Sequence, residues 1–106
     1  MKPPKLRSIP LASASGLGPK SAEVARIWIT DRKGSTVLID AGVLSDAEMF
    51  GVLMADTIAH AAKAHAAVLG ITEEQAAALI WRGVDTARAT IDPDSVVDTN
   101  PNGRLN

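Results

Sequence analysis

Hydrophobic and polar positions change their period along the chain, and the changes predict the elements. Val24 to Thr30 reads V-A-R-I-W-I-T, and Ser35 to Asp40 reads S-T-V-L-I-D. Both runs are short, rich in β-branched residues and bounded by turn formers, the pattern of strands. Asp31-Arg32-Lys33-Gly34 joins them. Asp at the start and Gly at the end suit a type I turn closed by a left-handed glycine with a G1 bulge. That turn predicts pairing of Thr30 with Thr36, Trp28 with Leu38 and Arg26 with Asp40 on one face. On the other face it pairs Ile29 with Val37 and Ile27 with Ile39. Each pair is chemically compatible, whereas a one-residue slip sets Arg26 against Ile39.

Two helices follow. Leu44-Ser45-Asp46-Ala47-Glu48-Met49 contains a capping box of Ser45 with Glu48, and Leu44 and Met49 stand as a hydrophobic staple. Asp46 and Glu48 also complement the helix dipole. Gly70 is placed to end this helix, so it covers about 46–69. Thr72 and Gln75 form a second box, with Ile71 and Ala76 as staple partners. The second helix should run to about Ile91, where Asp92-Pro93 blocks continuation. So short a connection makes the helices neighbours in an αα-hairpin. On the first helix Phe50, Leu53, Met54, Ile58, Ala61 and Val68 project onto one stripe, with His65 inside it. Ala55, Ala59, Ala62, Ala64, Ala66 and Ala67 keep that helix slim enough for another backbone to approach. On the second, Ala76, Ala77, Ile80, Val84, Ala87 and Ile91 form the stripe, flanked by Trp81.

The fold class is therefore α+β: a two-stranded antiparallel β-hairpin followed by an antiparallel helix pair, ββαα. Four prolines and two glycines in the first 20 residues predict a disordered basic tail over 1–21. Residues 22–91 form a single domain, and 92–106, with two prolines and three Asn, a flexible C-terminal tail.

Composition narrows the function classes. The chain of 106 residues has a net charge of −1 and no Cys, which excludes a disulfide scaffold, a thiolate metal site and a cysteine nucleophile. Lys2, Lys5, Arg7 and Lys20 stand in a first segment without acids, ahead of an acidic body that would repel nucleic acid. Ala12-Ser13-Ala14 has the look of a signal-peptidase site but lacks an apolar run before it. No stretch reaches the ~20 apolar residues of a membrane span, so the cytoplasm is the expected compartment.

The hairpin raises a packing problem, because both of its faces are apolar and one helix pair covers one face. Ile27, Ile29, Val37 and Ile39 make the better core face, which leaves Trp28 and Leu38, with Thr30 and Thr36 beside them, as a candidate interface. An isolated two-stranded hairpin is marginal, and about 70 residues barely suffice for a single core. Homodimerisation relieves both difficulties. An unidentified protein partner is the other occupant this face admits.

The segments A-R-I-W-I, L-I-D, G-V-L-M-A-D-T-I-A-H and W-R-G-V-D together resemble a family of small bacterial proteins, a domain of unknown function with a β-hairpin followed by two helices. The resemblance covers about residues 23–92. Phe50 to His60 and Ala78 to Asp85 carry most of it. It implies the architecture and brings no activity to transfer.

Candidate chemistry is sparse. Asp56 and His60 are spaced i, i+4 on one helical face, where a carboxylate can orient an imidazole base. The bland alternative is a surface ion pair, because half of a catalytic constellation is not a constellation. His65 suits a core histidine bonded to backbone or a residue at a dimer seam. It sits five residues from His60, off the i, i+4 spacing of a zinc helix, and no metal is expected. Gly16-Leu17-Gly18-Pro19-Lys20 lacks the spacing and the preceding strand of a phosphate loop, and no cofactor is expected. A homodimeric interaction or structural module is the leading reading. A small-molecule binder or hydrolase-like enzyme using Asp56 and His60 at a dimer groove is the alternative.

Overall fold

The computed structural model describes residues 6–91. The expected C-terminal tail, 92–106, and the first five residues lie outside them. Two antiparallel strands, β1 (Ala25–Thr30) and β2 (Gly34–Ile39), precede two helices, α1 (Ala47–Leu69) and α2 (Glu73–Thr90). The expected α+β order is the observed one. Ahead of β1 regular structure is slight: a 3-10 turn at Leu11–Ser13 and a turn in which Ser21 N–H donates to Gly18 C=O at 2.9 Å.

The hairpin register differs from the predicted one by two residues. Trp28 pairs with Thr36, Arg26 with Leu38, Ile27 with Val37 and Thr30 with Gly34. The cause is a shorter loop. Lys33 N–H donates to Thr30 C=O at 2.9 Å, and Arg32 takes a left-handed φ of 64° beside Gly34 at 83°. Two positive-φ residues close the chain in three residues where the predicted turn needed five. Because the slide is even, every side chain keeps its face. The predicted Arg26–Asp40 pair is lost. Arg26 Nε instead donates to Glu23 Oε1 at 2.7 Å, and the Asp40 carboxylate accepts from Gly42 N–H at 3.2 Å, capping a 3-10 turn at Ala41–Val43. Asp40 N–H meets Val24 C=O at 2.8 Å and extends the ladder by one rung.

Capping of α1 also moves by one residue. Asp46, not Ser45, is the N-cap, and its carboxylate accepts from Met49 N–H at 2.8 Å. Aspartate brings a charged acceptor to the helix N-terminus, where the dipole favours it. With the cap at 46 the third helical position is Met49, so no reciprocal box forms, and Leu44 and Met49 leave the staple positions. The other end is as predicted. Gly70 is left-handed at φ 70°, and Gly70 and Ile71 N–H both donate to Ala66 C=O, at 2.9 and 3.3 Å, the 5→1 and 6→1 bonds of a helix ended by a left-handed glycine. The α2 capping box is formed as predicted: Gln75 N–H donates to Thr72 Oγ1 at 3.0 Å, and Thr72 N–H to Gln75 Oε1 at 2.9 Å.

The core sits between the helices, next to their connection. Ala62, Ala66 and Ala76 are its buried residues, with Ile71, Ala77 and Ile80 packed around them. Small side chains let the two backbones approach, as the alanine content of α1 predicts. On α1, residues 50, 54, 58, 62 and 66 are all at least half-buried, one residue in every four. Such a row winds around the helix by about 40° per step, the i±4n ridge of helix packing. This explains two departures from the straight stripe. Val68, predicted inside it, is 82% exposed, and His65 is exposed rather than in the core. At their height on the helix the packing face has already turned to Ala62 and Ala66.

Packing is strand on strand and helix on helix, with at most a marginal contact between hairpin and helices. The expected core face of the hairpin is only partly covered: Ile27 is exposed, and Ile29 is 88% exposed. Trp28, Val37, Leu38 and Ile39 are half-buried.

Candidate functional site

Asp56 and His60 come together as their spacing predicts. His60 Nε2 lies 3.6 Å from Asp56 Oδ2, one turn apart on α1. Their side chains are 68% and 76% exposed, so water solvates both. A pair this open has the geometry of a surface ion pair, whose interaction is screened and worth at most about 1 kcal/mol. Thr57, the next residue on α1, turns its hydroxyl back to Leu53 C=O at 2.8 Å. Among the described residues no group of three or more His, Asp or Glu side chains gathers around a common point.

His65 belongs to a different surface. It lines a shallow groove of about 170 Å³ with Leu69, Ile71, Ala76, Leu79 and Ile80, where the two helices meet their connection. The groove is mostly apolar and open to solvent. A second, wider depression of about 420 Å³ opens at the free end of the hairpin, lined by residues 22–26 and 38–40. The Glu23–Arg26 pair lies on its rim. The hydrogen bond from the Arg26 guanidinium holds the Glu23 carboxyl below its ordinary value, against the opposing effect of desolvation. Neither depression includes Asp56 or His60.

The predicted interface residues divide. Trp28 and Leu38 share one face of the hairpin and are half-buried, while Thr30 and Thr36 on the same face are exposed. The larger apolar surfaces lie elsewhere. Ile27 and Ile29 cover the opposite face of β1, Val68 and Leu69 close α1, and every residue of α2 from Trp81 onward is exposed. The wheel projection of α2 marked its stripe but carries no information on how much of it is covered. No local signal in the sequence says where one helix leaves another.

Comparison with known proteins agrees with this architecture. The model of a domain of unknown function, DUF5076, matches residues 9–90. The chain belongs to this family. The match reaches further toward the N-terminus than the resemblance read from the sequence, and takes in the segment that carries Ile9, Leu11 and Leu17. A solved structure from the photosynthetic bacterium Rhodopseudomonas palustrus CGA009, provisionally named a pyruvate dehydrogenase, is similar at 26% identity with a TM-score of 0.61. The similarity covers 92% of this chain and 95% of that one. No curated protein matches the chain. Among the described residues no helix is long and apolar enough to cross a membrane.

Proposed function

We propose that this DUF5076 domain is a non-enzymatic interaction module that works as a homodimer. The observation that carries the reading is the size of the core. Among the described residues three alanines are the buried ones, and no large side chain is fully enclosed. Burial of a large aliphatic side chain contributes about 1.5–3 kcal/mol, and a domain needs several such contributions against its conformational entropy. Here Ile27, Ile29, Val52, Val68, Leu69, Leu79, Trp81 and Ile91 still face solvent. A second copy supplies the missing cover at no cost in sequence.

A small-molecule or hydrolase-like role through Asp56 and His60 has less support, since both side chains stand in open water and away from either groove. The pyruvate dehydrogenase name of the Rhodopseudomonas protein is not carried over.

Sedimentation equilibrium at tens of micromolar tests the reading. A dimer mass is expected. A monomer mass together with cooperative unfolding would overturn it.

A further inference from the structure

We infer that two copies join edge to edge through β1, antiparallel about a two-fold axis at Ile27, into one four-stranded sheet. The inference rests on the homodimer reading and says which surface serves it. Hydrogen bonding within the hairpin decides which edge is open. Asp40 N–H donates to Val24 C=O at 2.8 Å, so residues 24 and 40 form a bonded pair. Bonded pairs alternate along an antiparallel ladder, and the register carries the alternation to Arg26–Leu38, Trp28–Thr36 and Thr30–Gly34. The N–H and C=O groups of Ala25, Ile27 and Ile29 therefore point away from β2. Among the described residues no strand lies beyond them, and none of the three has a backbone hydrogen bond on that side. The other edge differs, because Val37 and Ile39, which face outward on β2, have partners.

Nothing guards the β1 edge. Natural sheets blunt an open edge with proline, lysine, a bulge or a covering segment. Ala25–Thr30 contains no proline, glycine or lysine and pairs with β2 residue for residue, without a bulge. Its single charge, Arg26, is paired with Glu23 at 2.7 Å. Ile27 and Ile29, whose backbone forms the edge, have side chains that are 65% and 88% exposed. A row of outward N–H and C=O groups at every second residue is matched in spacing by the same strand turned end for end. That is an isologous contact, closed by two copies.

The register follows from the same alternation. Outward residues must meet outward residues. With the axis at Ile27, Ala25 meets Ile29 of the second copy, Ile27 meets Ile27, and Ile29 meets Ala25. All the outward residues of β1 are then used, and each pair exchanges two bonds. An axis at Trp28 sets Ala25 against Asp31 in the turn and loses a pair at each end, while an axis at Arg26 sets one guanidinium against the other. The side chains favour Ile27 as well. Ile29 covers a small alanine, and on the opposite face Arg26 lies beside Trp28 of the second copy, twice, within reach of a cation–π contact. Glu23 and Asp31 of the second copy, the one like-charge juxtaposition, fall beyond the paired residues. A seam of two strands is smaller than the about 1,200 Å² at which stable interfaces begin, which predicts dissociation in the micromolar range.

The absence of cysteine makes a clean test available. In Ile27→Cys the introduced sulfur is the chain's only thiol and meets its own copy at the axis. Facing Cα atoms of a bonded antiparallel pair are about 5.5 Å apart, within disulfide reach. In Ile29→Cys the two thiols are displaced by four residues along the strands, about 14 Å, and cannot bond. Mild oxidation of the full chain at tens of micromolar should therefore cross-link Ile27→Cys at least ten times faster than Ile29→Cys, although position 29 is the more exposed. Ile27→Lys, which sets two ammonium groups against each other at the axis, should weaken dimerisation at least tenfold in sedimentation while leaving the helix content by circular dichroism unchanged. Cross-linking at Ile27→Cys no faster than at Ile29→Cys, in a chain that still sediments as a dimer, overturns the β1 geometry alone. A monomeric native chain overturns it together with the homodimer reading.

Discussion

The helix pair near its connection and the β-hairpin are built from equally clear local signals, yet they end in different states. Around Gly70 the caps and the core lie close together: Gly70 and Ile71 N–H share Ala66 C=O, the Thr72–Gln75 box follows at once, and the buried Ala62, Ala66 and Ala76 flank the connection. The hairpin has a complete ladder between its two strands, but Ile29 stands 88% exposed. The difference lies in what each element faces. Antiparallel helices joined by three residues are held against each other by their connection. A hairpin joined to α1 through Asp40–Asp46 has no such constraint on which of its faces packs.

This contrast predicts opposite responses to substitution. Ala76→Leu adds three heavy atoms where two backbones already touch, and overpacking of this kind costs about 1–3 kcal/mol. Ile29→Thr keeps the β-branched shape and removes apolar surface from a side chain already in water, so it should stay within about 0.5 kcal/mol of the native chain. Urea denaturation of both variants measures the difference. A loss from Ile29→Thr as large as that from Ala76→Leu would mean that the Ile27–Ile29 face is covered in solution, and would place the dimer seam on the face of the sheet.

How much was legible in the sequence follows the same division. Three signals confined to a few residues were read correctly: the strand identities, the glycine stop at Gly70 and the box at Thr72. Alanines on α1 announced close helix packing, and Ala62 and Ala66 proved to be its contact. Asp56 and His60 were brought together because i, i+4 spacing fixes neighbours on any helix. Features that depend on how one element crosses another were not legible. A helical wheel treats the apolar stripe as straight, so it placed Val68 and His65 inside. The packed row of every fourth residue winds past them instead. Nor could the pattern say that exposure rises along α2, from 2% at Ala76 to 58% at Ile91. The register missed for another reason: an arginine in the left-handed region is rarely the residue chosen for that role.

The start of α1 sharpens the comparison at smaller scale. Asp46 and Ser45 are both good capping residues, adjacent in sequence, and the fold uses one of them. Asp46→Ala should remove the acceptor of Met49 N–H and the favourable charge at the dipole, costing about 1 kcal/mol. Ser45→Ala should cost little. Equal losses, or the reverse order, in thermal denaturation would return the helix start to the capping box that the S-x-x-E spacing suggests.

The smallest effect concerns the hairpin tip, and it bears on the register of the whole sheet. Arg32 holds φ at 64°, a conformation that costs a side chain with a Cβ about 1–2 kcal/mol relative to the right-handed region. Asparagine tolerates it better, through local hydrogen bonding of its short side chain. Arg32→Asn should therefore stabilise the chain by about 0.5 kcal/mol, and Arg32→Val should destabilise it, since β-branching suits this region least. The sign of the pair is the test, read from denaturation midpoints. If Arg32→Val were as stable as the native chain, position 32 would not be left-handed in solution. The three-residue loop would then give way to the five-residue one, and Trp28 would pair with Leu38 rather than with Thr36. Side chains would keep their faces in either case, so α2 and the exposed isoleucines would be unaffected. The tip sets which cross-strand pairs meet, and the alternation of the strands sets which surface remains to be covered.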